Sequence, residues 1–274
     1  MKIITRFSKI LALTLYLIFA LIPLYWIIIT SLKGPKEIYT FPIKYLPTSI
    51  SLESYKHLFK FTNFAIYFRN SLIVSLSASF GALLITMFGG YAVSRYNFRF
   101  KKYMLLALFF TQMVPTFMVM VPLYTIFSKV GMVNKLTTLA ILYTNMMIPF
   151  SAIMAKGFFD RIPISLEEAA LIDGCSRLQA LFKIVIPLTL PGLSAIFSFS
   201  FVNTWNELFL AVMFMNSDVK MTIPVALNSF ISKAGIGWDL MSAGLVIALL
   251  PTMVVFAFAQ RYIVAGLTRG AVKG

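Results

Sequence analysis

The chain is 274 residues long, 59% hydrophobic, 12% charged and of formal net charge +15. A soluble domain of this length carries roughly twice that charged fraction, so the excess apolar surface must face lipid. The positive balance does not point to nucleic acid, because Lys and Arg bordering apolar spans are the usual excess of cytoplasmic loops. The one cysteine, Cys175, permits no internal disulfide and sits in no metal-ligand pattern. The one histidine, His57, stands among aromatic and Lys neighbours.

The basic start MKIITRFSKI runs into an apolar stretch with Tyr25 and Trp26 near its end and no small-x-small cleavage site. An uncleaved spanning helix is predicted there rather than a secretory signal. Six segments can cross a hydrocarbon core of roughly 30 Å. They lie at 10–30, 71–94, 103–127, 137–157, 190–214 and 240–263. Fourteen Lys and Arg fall on the side that holds both termini and ten on the other, six of these in the long 31–70 loop. Both termini and the segment 160–187 are therefore expected in the cytoplasm. Pro115, Pro122, Pro149 and Pro251 interrupt the spans, and Gly81, Gly89 and Gly90 lie in the second. Such residues suit irregular helices that approach closely in lipid. The expectation is an all-α integral membrane protein of six transmembrane helices, one domain over 1–274.

The segment 160–187 differs in kind. Asp160, Glu167, Glu168 and Asp173 are four of only nine acidic residues in the protein, within fourteen positions. Ser165 with Glu168 predicts a capping box, and Glu167 favours the positive end of the helix dipole. Gly174 suits the left-handed residue that stops a helix. Ser176 with Gln179 repeats the capping pattern, so two short helices and a sharp turn are expected. Leu166, Ala169, Ala170 and Ile172 are too short an apolar run to span anything, and the two alanines permit close approach by a partner. Pro187 and Pro191 are expected to begin the fifth span, where a first turn tolerates them. These features fit either a surface loop or a docking element.

The run Glu168-Ala169-Ala170, then Gly174, then Ile184-Val185-Ile186-Pro187 resembles the EAA loop of binding-protein-dependent ABC importer permeases. It departs only at Ile186, where that signature has Leu. The stretches FVNTWNELFL and QRYIVAGLTRGAVKG are similar to the sugar-permease group typified by the smaller membrane subunit of the maltose transporter. The resemblance covers essentially the whole chain and implies the type I ABC importer permease fold. It implies that the EAA loop is a coupling helix seated in a groove of a cytoplasmic ATPase subunit. Glu167, Glu168, Ala169, Ala170, Asp173 and Gly174 would form that docking knob. The implied partners are a second permease, two ATPase subunits and an extracytoplasmic solute-binding protein, at a bacterial or archaeal cytoplasmic membrane. The sequence holds no G-x-x-x-x-G-K-[ST] phosphate loop. ATP and Mg would then be bound by the partner ATPase, with no cofactor, metal or catalytic residue in this chain.

Asn203, Asn206 and Glu207 are expected mid-span at i, i+3 and i+4, sharing one helix face. A carboxylate near the bilayer centre costs roughly 3 kcal/mol or more against lipid, so this face should point inward. Three readings stay open: the residues line the solute path, they join the helix to the partner permease, or Glu207 is a buried structural pair. Trp205, on another face, reads as a packing aromatic, with sugar stacking as the alternative. Gln112 and Asn145 are weaker candidates of the same kind. By resemblance the loop 216–240 reaches toward the binding protein, with Asn228, Ser229, Gly235 and Gly237 as the contact; otherwise it is a connecting loop. The tail GLTRGAVKG would pack at the ATPase dimer interface; its composition alone reads as disordered. The function implied is a permease subunit of an ATP-driven sugar or oligosaccharide importer. The alternatives are an ABC permease for a polyol, a glycerol phosphate or an amino acid, and a secondary transporter or channel.

Overall fold

The computed structural model describes residues 2–232 and 235–271, with side chains described over 8–232 and 235–262. The chain divides into two compact units, Met1–Ala65 with Val225–Leu250, and Ile66–Pro224 with Pro251–Gly274.

The first unit begins with α1 (Lys2–Ser31), an Ile- and Leu-rich helix that carries Pro23 in its interior. Over most of its length its side chains face outward, and burial begins only at Ile29, Thr30 and Ser31. The loop expected over 31–70 is partly helical: α2 (Pro35–Ile38) and α3 (Glu53–Phe61) form within it, and α4 (Phe64–Arg95) already begins there. Proline opens α2 at the position where its missing N–H costs nothing. The rings of Phe59 and Phe64 meet edge to face at 6.0 Å. Most of α12 (Ile223–Ser229), the β1 (Ile231–Ser232) and β2 (Gly235–Ile236) hairpin, and the first part of α13 (Trp238–Ala271) complete this unit. The strands are antiparallel, with Ile231 opposite Ile236 and Ser232 opposite Gly235.

The second unit continues along α4 and holds α5 (Lys101–Thr111), α6 (Thr116–Lys129) and α7 (Leu136–Phe159). After these come α8 (Ile164–Ile172), α9 (Arg177–Ala180), α10 (Ile186–Trp205) and α11 (Phe209–Phe214). Its core runs along α7 and α10, where Met87, Ala155, Phe159, Leu181, Val185, Leu193 and Ile196 pack together. Gly90 lets α4 approach α7, because a Cβ there would lie 2.6 Å from that of Ala155.

Among the described residues five helices are long and apolar enough to cross a membrane, and α5 with α6 forms a sixth candidate bent by 97°. The expected third span, 103–127, is thus broken into two helices, at one of the prolines expected to interrupt it. Pro115 stands at the N-cap of α6 in extended geometry. Proline offers no N–H to the preceding turn and drives the residue before it out of the helical region.

The expected fifth span, 190–214, is corrected at both ends. The helix starts at Arg177, passes through a π turn at Leu181–Val185 and stops at Trp205. Pro187 therefore does not begin the span. Its ring would press on the carbonyl of Lys183 in a regular helix. The widened turn, in which the Ile186 N–H donates to the Leu181 carbonyl, accommodates it.

Candidate functional site

The expected docking segment is a short helix with a sharp stop. Its start differs from the expected capping box. Pro163 occupies the N-cap with φ −57° and ψ 132°, and no side chain caps the helix. Ser165 consequently falls inside the first turn and Glu168 is left exposed. The end is as the sequence suggests. Gly174 has φ +84°. Its N–H donates to Leu171 O at 3.1 Å, and the N–H of Cys175 donates to Ala170 O at 2.9 Å. These two bonds close a Schellman turn, which needs a residue without a Cβ penalty at the left-handed position. The second expected cap forms: the Ser176 side chain accepts from the Gln179 N–H, and the Gln179 side chain accepts from the Ser176 N–H.

The acidic residues divide between two faces of α8. Glu168, Ala169, Asp173 and Gly174 are exposed, whereas Glu167 and Ala170 are buried. Glu167, expected among the presented docking residues, is turned into the protein, and Ala170 with it. Arg95, the last residue of α4, donates through Nε to Glu167 Oε1 at 2.5 Å and through Nη2 to Ile162 O at 3.0 Å. Tyr91 donates its hydroxyl to Glu167 Oε2 at 2.6 Å. A buried carboxylate needs such partners, because its desolvation is otherwise far too costly. Asp160 continues the network: Ser94 donates to one of its oxygens at 2.6 Å and Lys156 to the other at 2.5 Å. Burial would raise its pKa, but these hydrogen bonds and the charges of Lys156 and Lys101 outweigh it and hold the carboxyl below its usual value. The end of α4 and the end of α7 thus grip the base of α8 while its other face stays free.

Sequence reasoning counted Arg95 only as loop charge and passed over Tyr91. The one available signal was that an Arg closing an apolar span must find a partner nearby.

The second expected cluster is rearranged. Helix α10 ends at Trp205, so Asn203, Asn206 and Glu207 do not continue along one helix face. Asn203 and Asn206 are exposed, and each side-chain amide donates to a helix carbonyl, Phe199 O and Val202 O, at 2.8 Å. Glu207 sits in the break and turns back on the next helix. Its carboxylate accepts from the Leu210 N–H at 3.0 Å, the Ala211 N–H at 3.3 Å and the Tyr143 hydroxyl at 2.7 Å. It caps α11, where free N–H groups favour a negative charge. Of the three readings of Glu207, this geometry agrees with a structural pairing, with Glu207 half-buried. Trp205 is 2% exposed and stacks on Phe201 at 5.6 Å, which is packing and not an open stacking platform. Gln112 lies in the α5–α6 bend and Asn145 on α7, and both are exposed.

Asn228, Ser229 and Gly235 are exposed and Gly237 is half-buried. The hairpin that carries Gly235 is pinned within its unit. Tyr39 donates its hydroxyl to Ile236 O at 3.2 Å and accepts from the Trp238 N–H at 3.1 Å. Lys233, Ala234 and residues 272–274 lie outside the described residues, as do the side chains of the 266–271 stretch, so the docking expected of the tail falls there.

Residues 82–269 match the family described as "Binding-protein-dependent transport system inner membrane component". The chain belongs to this family. The match takes in the gripped helix α8, its Schellman stop and the Glu207 cap. The permease is 34% identical over 275 residues to the inner membrane ABC transporter permease protein YcjP of Escherichia coli, covering 100% of this chain and 98% of that one. It is 33% identical to the sulfoquinovosyl glycerol transport system permease protein SmoH of Agrobacterium fabrum, over 97% of this chain and 93% of that one. It is also 33% identical to the diacetylchitobiose uptake system permease protein DasC of Streptomyces coelicolor, over 92% and 91%. Its fold matches a chain of a bacterial ABC transporter involved in the import of the acidic polysaccharide alginate, with TM-score 0.81, 22% identity and coverage of 94% and 96%. Family membership and the apolar helices make this permease a multi-pass protein of the cytoplasmic membrane. The secondary-transporter reading is set aside by the same match.

Proposed function

We propose that this permease is one membrane subunit of an ATP-driven importer for a sugar or oligosaccharide. Its relatives' names carry the substrate class: sulfoquinovosyl glycerol, diacetylchitobiose and galactooligosaccharides. In this reading it forms the solute path with a second permease, and an extracytoplasmic binding protein delivers the solute near Asn228, Ser229, Gly235 and Gly237. Both termini lie in the cytoplasm, following the Lys and Arg count. ATP and Mg are bound by two ATPase subunits, and α8 is the joint to one of them. The observation that carries the joint is the division of α8. Glu167 is held by Arg95 and Tyr91, while Glu168, Ala169 and Asp173 face outward beside the Gly174 stop. A helix gripped on one face and bare on the other passes a push from a bound partner straight to α4. Asn203 and Asn206, exposed with their amide oxygens unpaired among the described residues, are suited to sugar hydroxyls on the path.

The test is reconstitution of this chain with the permease, ATPase and binding protein encoded beside it, followed by uptake of labelled oligosaccharides. Uptake that requires ATP and every subunit is expected, and Ala169→Trp should abolish ATPase attachment while leaving membrane insertion intact. Uptake by this chain alone, or normal ATPase attachment in Ala169→Trp, would refute the reading.

A further inference from the structure

A groove of about 450 Å³ lies wholly within the second unit, between the start of α5 and the end of α7. Its lining changes along its length. Lys102 stands in the first turn of α5 and Lys156 in the last turn of α7, so one end is basic. Leu105, Leu106 and Phe109 continue from Lys102 along α5, and Ile153 precedes Lys156 by one turn on α7. Positions 102, 105, 106 and 109 share one helix face, which at 1.5 Å per residue is about 10 Å long. Since α7 is long and apolar enough to cross the membrane, the basic end lies at its polar border and the apolar end in hydrocarbon.

The charges at this end do not cancel. Lys156 pairs with Asp160 at 2.5 Å. Lys101 donates to Tyr96 O at 3.3 Å and to Asn97 Oδ1 at 3.4 Å, and its charge also acts on Asp160. Lys102 is exposed and makes no hydrogen bond or ion pair among the described residues. Asp160 opposes an incoming anion, but it stands against Lys101, Lys102 and Lys156, and Glu167 is balanced by Arg95. Ordinary snorkelling of a lysine toward water would account for Lys102. It would not account for the open groove beside it. Gly157 leaves the basic end unfilled, because a Cβ there would meet nothing within 4 Å. Leu106 and Phe109 remain 46% and 57% exposed.

We propose that this groove holds one anionic phospholipid of the phosphatidylglycerol type. Its phosphate meets Lys102 and Lys156, and one acyl chain runs along Leu105, Leu106, Phe109 and Ile153. The gradient from cation to hydrocarbon selects this occupant. A soluble anion has no use for the apolar length, and an apolar helix of another subunit would leave two ammonium groups unanswered. Basic pockets between spanning helices hold anionic head groups in this way. The proposal does not depend on which solute the permease carries, so either can fail while the other stands.

Full-length chain in detergent micelles is titrated with phosphatidylglycerol and with phosphatidylcholine of the same acyl chains, and retained lipid is counted by native mass spectrometry. One phosphatidylglycerol per chain is expected, held about twentyfold more tightly than phosphatidylcholine, since each of two uncompensated lysines is worth about fivefold. Lys102→Gln should weaken phosphatidylglycerol about fivefold. Lys129→Gln, at the end of α6, is the charge control and should change nothing. Gly157→Leu keeps every charge and fills the open end of the groove, and leucine suits a helix better than glycine does. It should abolish the retained lipid while thermal unfolding is unchanged. Equal retention of the two lipids, Lys102→Gln no weaker than Lys129→Gln, lipid still held by Gly157→Leu, or displacement of the lipid by inorganic phosphate would overturn the proposal.

Discussion

Cutting the Arg95–Glu167 pair should free α8 from the membrane helices without unfolding them. The two side chains are 8% and 10% exposed, so neither charge can turn to water when its partner is lost. Breaking a buried pair from one side costs about 3–5 kcal/mol, because it leaves an uncompensated buried charge. In Glu167→Gln the amide keeps the shape and the contact to Tyr91 but leaves the Arg95 cation unbalanced. Arg95→Met strands the carboxylate and also removes the bond to Ile162 O. Taking 3 kcal/mol as the local cost, the opening equilibrium of α8 rises more than a hundredfold. Hydrogen exchange of residues 164–174 in the purified protein reads this directly, with the amides of α7 as an internal control. The double variant Arg95→Met, Glu167→Met removes both charges together and should recover most of the protection, since an apolar pair of similar volume is often neutral. Single variants that exchange within threefold of the parent, or a double variant as labile as either single, would refute the anchor.

Glu207→Leu removes three hydrogen bonds and the cap of α11, and should cost about 2–4 kcal/mol in thermal unfolding. Glu207→Gln retains the Tyr143 partner and should cost about 1 kcal/mol. Gly174→Val places a β-branched residue at φ +84° and should destabilise the turn by about 1–2 kcal/mol. Hydrogen exchange should then rise at residues 173–176 while the spanning helices are unchanged. The Glu37 carboxyl is held below the ordinary 4.5, first by the Thr48 hydroxyl, then by the Thr48 N–H, against a smaller opposing effect of desolvation. A depressed carboxyl stabilises fully above its unfolded pKa and loses that contribution as pH falls through the folded value. Protection over residues 36–48, the exchange rate relative to that of the unstructured amide at the same pH, should therefore stay constant from neutral pH down to about 5 and fall only below 4.5; Thr48→Val should bring the fall to higher pH.

Much of this protein is legible in one dimension. The apolar runs, the basic borders and the Gly174 stop are local properties, and they recur in the helices and in the Schellman turn. The Ser176–Gln179 cap is equally local and forms as read. The Ser165 cap fails because Pro163, two residues earlier, claims the start of the helix. A pattern match does not show which of two neighbouring signals prevails. The fifth helix starts before its expected limit and stops short of its expected end, because apolar counting sees neither the π turn that absorbs Pro187 nor the break after Trp205.

Pairings distant in the chain belong to the tertiary structure alone. Glu167 and Glu168 are adjacent and chemically alike, yet one is sealed under Arg95, 72 positions away, and the other is exposed. Three readings of Glu207 stay open in the sequence, and only the fold shows Tyr143, 64 positions away, and the N–H groups of α11 donating to its carboxylate. The physical reason is common to both. A span needs only its own composition to be recognised, but the place of a charge is decided by which donors the fold brings within about 3 Å of it.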